Sequence, residues 1–271
     1  VVSGAGIGGA FAARPPQIVG VNNPEQIRIG TYNIHAGFNE YFNYDLEAIA
    51  QTILQSGVDV VLLQEVDAGR ITSFGVDQVL WLARRIGMDA RFYATNEGLQ
   101  GLAVLSRVEI VFDDGNLLES VGTQTGLQRV QIRPDENVIT LYNTWLGVLL
   151  DADGERTVNE QEIDQQNQLS EMFTIIAAQN PGDQLGRSRT VIGGTFNNVP
   201  DSDLLARMRD SGFNDPFAGI ALQQSATYWR TGQRARLDYL WLTPQIRAVG
   251  ALVVESNASD HRLAFVGIDL R

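Results

Sequence analysis

The sequence contains no cysteine and no lysine, and only two histidines, His35 and His261. Without cysteine there is no disulfide framework and no thiolate metal site, and the redox compartment leaves no mark on the chain. Two histidines exclude an all-histidine metal centre. Any metal must then be held mostly by oxygen, which favours magnesium, manganese or calcium. Basic side chains are also scarce: 20 arginines stand against 32 acidic residues, for a net charge of −12. A large nucleic-acid footprint needs a basic surface that releases counterions, so this balance argues against one. A small phosphoester remains open, because a few arginines in one cleft can outweigh the global charge locally.

No Ser/Pro/Gly linker or repeat divides the 271 residues, and 44% hydrophobic content is ample for one core. Residues 1–24 are expected to be an apolar leader or the remnant of an upstream segment, and 25–271 a single domain. The uncharged stretch Val1 to Ala13 is shorter than the roughly 18 apolar residues that span a bilayer. It reads either as a surface or disordered leader or as the edge of a fragment cut after a secretion signal or membrane segment.

Period-two and continuous apolar runs predict strands at Ile27 to Asn33, Val58 to Gln64, ARFYA, GLAVLS, VEIVF, LQRVQIR, VITLYNTW, Arg189 to Gly194, RLDYLWL, AVGALVVES and RLAFVGIDL. Helical periodicity predicts helices after Asp45, over Val76 to Ile86, over Asn159 to Gln179 and over Asp203 to Asp210, the last capped by Asn198, Asp201 or Ser202. Helices interspersed with many β segments suggest sheets packed face to face with helices outside.

Polar groups recur at, beside or within the predicted core strands: Asn33 after IRIGTY, Glu65 after VVLLQ, Asn197 after VIGGTF, Asp238 inside RLDYLWL, and Asp260 with His261 before the last strand. Each alone has an ordinary structural explanation as a solvated loop residue, a helix cap or a satisfied core group. A carboxylate inside a buried strand, however, must be paired, since isolated burial of its charge is prohibitive. His261 is a partner of the right type for Asp238. An Asp that accepts from one imidazole nitrogen fixes the tautomer and leaves the other to handle a proton or a phosphoryl oxygen.

The ordered series TYNI, LLQE, LAVLSR, NTWLG, GGTFN, RLDYLWL and SDHR resembles the endonuclease/exonuclease/phosphatase superfamily. That resemblance implies a DNase I-like fold: an α/β, four-layered sandwich of two mixed β-sheets face to face, flanked by helices. It implies Mg2+ or Mn2+ as cofactor, with Glu65 as principal metal ligand and Asn33 and Asp260 close to the ion or its waters. It further implies His261 as the catalytic imidazole oriented by Asp238, and Asn197 holding the attacking water or a phosphate oxygen. His35, Trp145, Thr195 and Arg262 are candidates for substrate contact. Arg107 also adjoins a motif, with plain exposure the competing reading for both arginines.

Two positions depart from the family pattern. Trp145 stands where a histidine is common, which enlarges the apolar surface of the pocket. Thr195 stands where a carboxylate normally orients or deprotonates the attacking water, and losing a general base costs about 3 to 5 kcal/mol of barrier. Substitute carboxylates close in sequence are Asp151, Asp153, Glu155, Asp201 and Asp203. The stretches IRIGTYNIHAGFNEYFNYDLEAIAQTI, VVLLQEVDAGR and GVDQVLWLARRIGM are also similar to the soluble phosphodiesterase-like domain of proteins that remodel GPI-anchor lipids, and to its bacterial relatives. The resemblance implies a small or lipid-linked phosphoester rather than DNA. It also implies membrane proximity through a missing upstream segment and an extracytoplasmic or membrane-associated setting. The competing expectation is a catalytically silent relative that binds a phospho-ligand or acts as an interaction domain. Oligomeric state is not legible.

Overall fold

The structure is a computed structural model that describes residues 17–21, 23, 25–148, 157–230 and 232–271. Alternation of apolar side chains decides which strand face meets which layer. In β2 (Val60–Asp67), Val61, Leu63 and Val66 point to one face and Val60 and Leu62 to the other, and all five are fully buried. A strand apolar on both faces must lie between two layers. Here it lies between a pair of helices and a second sheet.

The first sheet runs β12 (Arg247–Val253), β13 (Ala264–Asp269), β1 (Gln26–Asn33), β2, β4 (Gln100–Ser106), β3 (Asp89–Asn96). The second runs β11 (Asp238–Leu242), β8 (Thr190–Thr195), β7 (Ile139–Trp145), β6 (Thr125–Ile132), β5 (Ile110–Leu118). Each sheet is mixed, because β1 pairs parallel to β2, and β7 parallel to β8, among otherwise antiparallel neighbours. A separate hairpin joins β9 (Tyr228–Arg230) to β10 (Gln233–Ala235).

Helices α1 (Leu46–Ser56) and α2 (Gln78–Ile86) cover the outer face of the first sheet. Helices α3 (Val158–Gln179) and α4 (Asp203–Asp210) cover the outer face of the second. Three hydrophobic clusters, helix on sheet, sheet on sheet, and sheet on helix, make the four layers expected from the sequence. Caps set the helix limits: Asp45 accepts from Ala48 N, Asp77 from Leu80 N, and Ser202 from Leu205 N, while Thr157 and Glu160 close a capping box. Ser202 is therefore the cap of α4 among the three expected.

Two strands differ from expectation. β5 runs on to Leu118, through a polar stretch without an apolar signal, because it is an edge strand with a largely exposed face. β2 does not stop at Gln64 but continues to Asp67, with its pairing to β4 slipping between Leu63 and Val66. Such a bulge re-aims side chains next to functional sites. Glycine permits the close approach at the end of β8. A Cβ on Gly193 would meet Leu62 Cδ1 at 2.4 Å across the sandwich, and one on Gly194, at φ +147°, would meet the Thr144 carbonyl oxygen at 2.0 Å.

Candidate active site

The parallel pairs β1/β2 and β7/β8 end at one edge of the sandwich, and there the expected residues converge. Glu65 sits in the β2 bulge at φ 53°, Asn197 just past β8 at φ 51°, and His35 just past β1 at φ 46°. Three non-glycine residues in the left-handed region at one site are strain that the surrounding hydrogen bonds must hold. Glu65, His35, Asn197, Trp145, Asp260 and His261 all line a cleft of about 900 Å³.

At its floor Asp238 is only 1% exposed, and its two oxygens are both taken. Oδ2 lies 2.7 Å from His261 Nδ1, and Oδ1 accepts from the Thr195 hydroxyl at 2.7 Å. Its backbone N–H donates to Thr227 Oγ1. His261 thus keeps Nε2 for the cleft that it lines. Burial alone would lower the His261 pKa, but the charge of Asp238 and the hydrogen bond to it, with Asp260 and Glu65 nearby, outweigh burial and raise it to about 9. Tyr228 packs edge-on against the imidazole at 5.1 Å between ring centroids.

Glu65 Oε1 accepts from Asn33 Nδ2 at 2.8 Å and from the Trp145 indole at 2.9 Å. Asn33 itself is wholly buried, bonds Thr195 Oγ1 at 3.2 Å, and accepts the His35 backbone N–H. It orients Glu65 from beneath the cleft and does not line it. Asn197 is tied by its amide to the Leu146 carbonyl at 2.8 Å. His35 Nδ1 stands 3.5 Å from Asp260 Oδ1 and has no hydrogen bond, although it is buried.

Several sequence expectations require correction. Thr195 is fully buried between Asp238, Asn33 and Gln64, so it reaches a ligand only through those neighbours. Arg262 is outside the cleft lining, its guanidinium 3.8 Å over the Trp229 ring. Arg107 follows β4 at the far end, where its N–H bonds the Asp59 carbonyl next to the start of β2, away from Glu65. Asp201 and Asp203 face solvent at the start of α4. Asp151, Asp153, Glu155 and the apolar leader over Val1 to Ala13 lie outside the described residues.

Sequence reasoning missed several contributors. Gln165 of α3 donates to the Phe196 and Asn197 carbonyls at 3.3 and 3.2 Å and also to the Gly147 carbonyl, binding two site loops to one helix. Gln64 donates to Thr31 Oγ1 at 3.1 Å and to Asn143 Oδ1 at 2.7 Å, a polar seam joining the sheets beneath the site. Arg230 and Arg234 line the cleft from the β9–β10 hairpin. The available signal was the YWRTGQRA stretch, two arginine-bearing segments around a glycine, too short to show strand periodicity.

Comparison with known proteins shows the family and the fold. The sequence matches the profile of the Endonuclease/Exonuclease/phosphatase family over residues 30–261. The fold is similar to that of an endonuclease/exonuclease/phosphatase from Beutenbergia cavernae DSM 12333, with TM-score 0.69 and 21% identity, covering 91% of this chain and 72% of that one. It is also similar to the human Nocturnin catalytic domain with bound sulfate anion, with TM-score 0.70 and 18% identity, covering 95% and 99% of the two chains. TDP2 from C. elegans gives TM-score 0.65 and 18% identity, covering 90% of this chain and 75% of that one. At these identities the likeness is one of fold. No curated protein gives a match.

Proposed function

The chain belongs to the Endonuclease/Exonuclease/phosphatase family, and from that premise we propose that it is a divalent-metal-dependent phosphoesterase acting on a small or lipid-linked phosphoester rather than on DNA. The observation that carries the reading is the buried Asp238 bonded at 2.7 Å to Nδ1 of His261, which lines the cleft. A buried carboxylate must be paired, and the partner here is a histidine that lines the cleft, so the pair directs a charged imidazole at whatever occupies it.

The donor set fits a hard cation. Glu65 and Asp260 face the same cleft, and the buried Nδ1 of His35 stands unbonded beside Asp260. Among the described residues no group of three or more histidine or acidic side chains is gathered for a metal. Two carboxylates and water suit magnesium or manganese better than a cation that needs an all-protein cage. When bound, such an ion polarises a phosphoryl oxygen and stabilises the charge that builds on it.

The chain's own residues do the rest. Asn33 and Trp145 fix Glu65 through Oε1. His261, protonated at neutral pH because its pKa is raised, donates from Nε2 to a phosphoryl oxygen or leaving oxygen. Asn197, anchored through Nδ2, has its side-chain Oδ1 left to hold a water. The net charge of −12 supports a small phosphoester over a polynucleotide.

One observation favours a second reading, a phospho-ligand-binding relative without turnover. The Thr195 hydroxyl donates to Asp238 and is not free to activate water. Hydrolysis of a bis-aryl phosphate with magnesium or manganese separates the two. Turnover that disappears in Glu65→Ala and falls steeply in His261→Ala supports the enzyme, and turnover unchanged in His261→Ala removes the mechanism. If calorimetry finds no metal binding at millimolar ion and Glu65→Ala changes nothing, the enzyme reading fails. A gain in turnover on Thr195→Asp marks a weakened active site, whereas no gain with metal binding retained favours the binding module.

A further inference from the structure

The two oxygens of Glu65 have different neighbours. Oε1 accepts from Asn33 Nδ2 at 2.8 Å and from the Trp145 indole at 2.9 Å, whereas among the described residues no hydrogen bond engages Oε2. A carboxylate oxygen has about two acceptor sites. Oε1 is therefore filled, and Oε2 is the oxygen left for a ligand in the cleft that Glu65 lines.

The surroundings hold that arrangement in place. Asn33 is fully buried; its amide also donates to Thr195 Oγ1 at 3.2 Å, and its oxygen accepts the His35 N–H. Glu65 itself stands in the β2 bulge at φ 53°, a backbone conformation that the neighbouring structure must fix. The indole is the donor that comes from the opposite sheet. Trp145 ends β7, paired with Thr195 of β8 on one side and with Gly126 of β6 on the other, so no β6 side chain stands directly beside its ring. A rigid ring on a short stem loses little freedom when it is held in one place. An indole N–H only donates, so unlike an imidazole it neither ligates a metal nor carries a proton. What Trp145 contributes to Glu65 is the occupation of Oε1.

That occupation bears on which cation suits the cleft. Calcium takes about six to eight oxygens and commonly both oxygens of one glutamate, whereas magnesium is octahedral, keeps several waters and is held through one or two carboxylates. With Oε1 filled, Glu65 has no second oxygen to offer. We propose that Trp145 is a positioning residue that closes Oε1 of Glu65, leaves Oε2 as its one metal-binding oxygen, and thereby selects magnesium or manganese over calcium. The proposal rests on the metal-dependent phosphoesterase reading for the presence of a divalent cation, and adds which side chain governs the choice.

Calorimetry with magnesium chloride and with calcium chloride on the wild type, Trp145→Phe and Trp81→Phe tests it. The wild type is expected to bind magnesium more tightly than calcium. Trp145→Phe keeps a ring in the cleft but removes the N–H and opens a site on Oε1. The preference for magnesium should then fall by about tenfold or more, because a hydrogen bond to a charged group is exchanged for an added calcium ligand. Trp81→Phe, in α2 on the outer face of the first sheet, should keep the wild-type ratio. The ratio is the readout because general loosening of the site weakens both cations alike. Calcium bound as tightly as magnesium by the wild type overturns the proposal whatever the variants do. An unchanged ratio in Trp145→Phe with an unchanged melting temperature overturns it as well. If neither cation binds the wild type at millimolar concentration, the proposal and the metal-dependent reading fall together. Turnover is scored separately. A ratio that shifts in Trp145→Phe without hydrolysis of a bis-aryl phosphate by the wild type keeps the role of Trp145 and removes the phosphoesterase reading. Hydrolysis with magnesium and an unchanged ratio does the reverse.

Discussion

Thr195 and His261 meet at one carboxylate, and each governs it differently. Thr195 supplies a neutral donor to Asp238 Oδ1, so it settles the carboxylate's orientation without adding charge. Removing only that hydroxyl leaves a buried oxygen short of a donor. Thr195→Val is therefore expected to lower stability by about 1 to 3 kcal/mol, read from denaturant unfolding. It should also loosen the grip of Asp238 on His261. His261 titrates in the folded protein near pH 9, above its ordinary value of 6.5. Its folded pKa is raised, so its contribution to stability is complete below about pH 6.5 and is lost as pH rises through about 9. Proton NMR of the metal-free protein should show one imidazole titrating near that upper value. That resonance should be absent in His261→Gln. With metal on Glu65 and Asp260 their contribution to that rise is lost, so turnover that depends on the imidazolium should fall at a lower pH than the metal-free titration.

At the scale of elements, α3 acts on the site without touching the cleft floor. Most of its buried face is apolar toward its C-terminal half, where Leu169, Met172 and Ile176 pack on the second sheet. Its N-terminal half instead buries Gln161, Asp164, Gln165 and Gln168. That polar face exists to satisfy loop backbone: Gln165 bonds the Phe196 and Asn197 carbonyls, Gln168 accepts the Gly147 N–H, and Asn198 donates to Gln165 at 3.0 Å. Gln165→Ala would leave those carbonyls unpaired and free Asn197 from its left-handed backbone. The expected outcome is about 1 to 3 kcal/mol of lost stability. Turnover should fall further than metal affinity, because Glu65 and Asp260 are held by other elements. Thermal unfolding and metal calorimetry on the same sample check both parts.

At the scale of the molecule, charge is distributed against the cleft's own acidic floor. A chain of net charge −12 repels polyanions at range, and the arginines that face the cleft from the β9–β10 hairpin act only locally. Duplex DNA is accordingly expected to show no gel shift at about 0.15 M salt, where screening leaves little long-range attraction. A shift whose strength falls steeply with added salt would show a basic surface that the net charge conceals, and would return polynucleotides to the candidate substrates.

How much of this was legible follows from how each feature is encoded. Strand and helix positions were written in local periodicity: VVLLQ is apolar on both faces and Asp45 and Gly57 bracket α1; their order suggested sheets face to face with helices outside, and the family resemblance implied the four layers. The choice of polar residues near strand ends was legible for the same reason, since Asp238 in a core strand demands a partner. Contacts between distant segments were not. Burial of Thr195, the indole of Trp145 on Glu65, the hold of Gln165 on the Asn197 loop, and the stack of Arg234 and Arg262 on Trp229 all join residues far apart in sequence or across a turn. By itself the sequence determined which residues could do chemistry, because residue type and local pattern set burial and charge. Only the tertiary structure decided which of them meet, which nitrogen of His261 is committed to Asp238, and which arginines reach the cleft. Those outcomes depend on how two twisted sheets register against each other, and no local stretch carries that information.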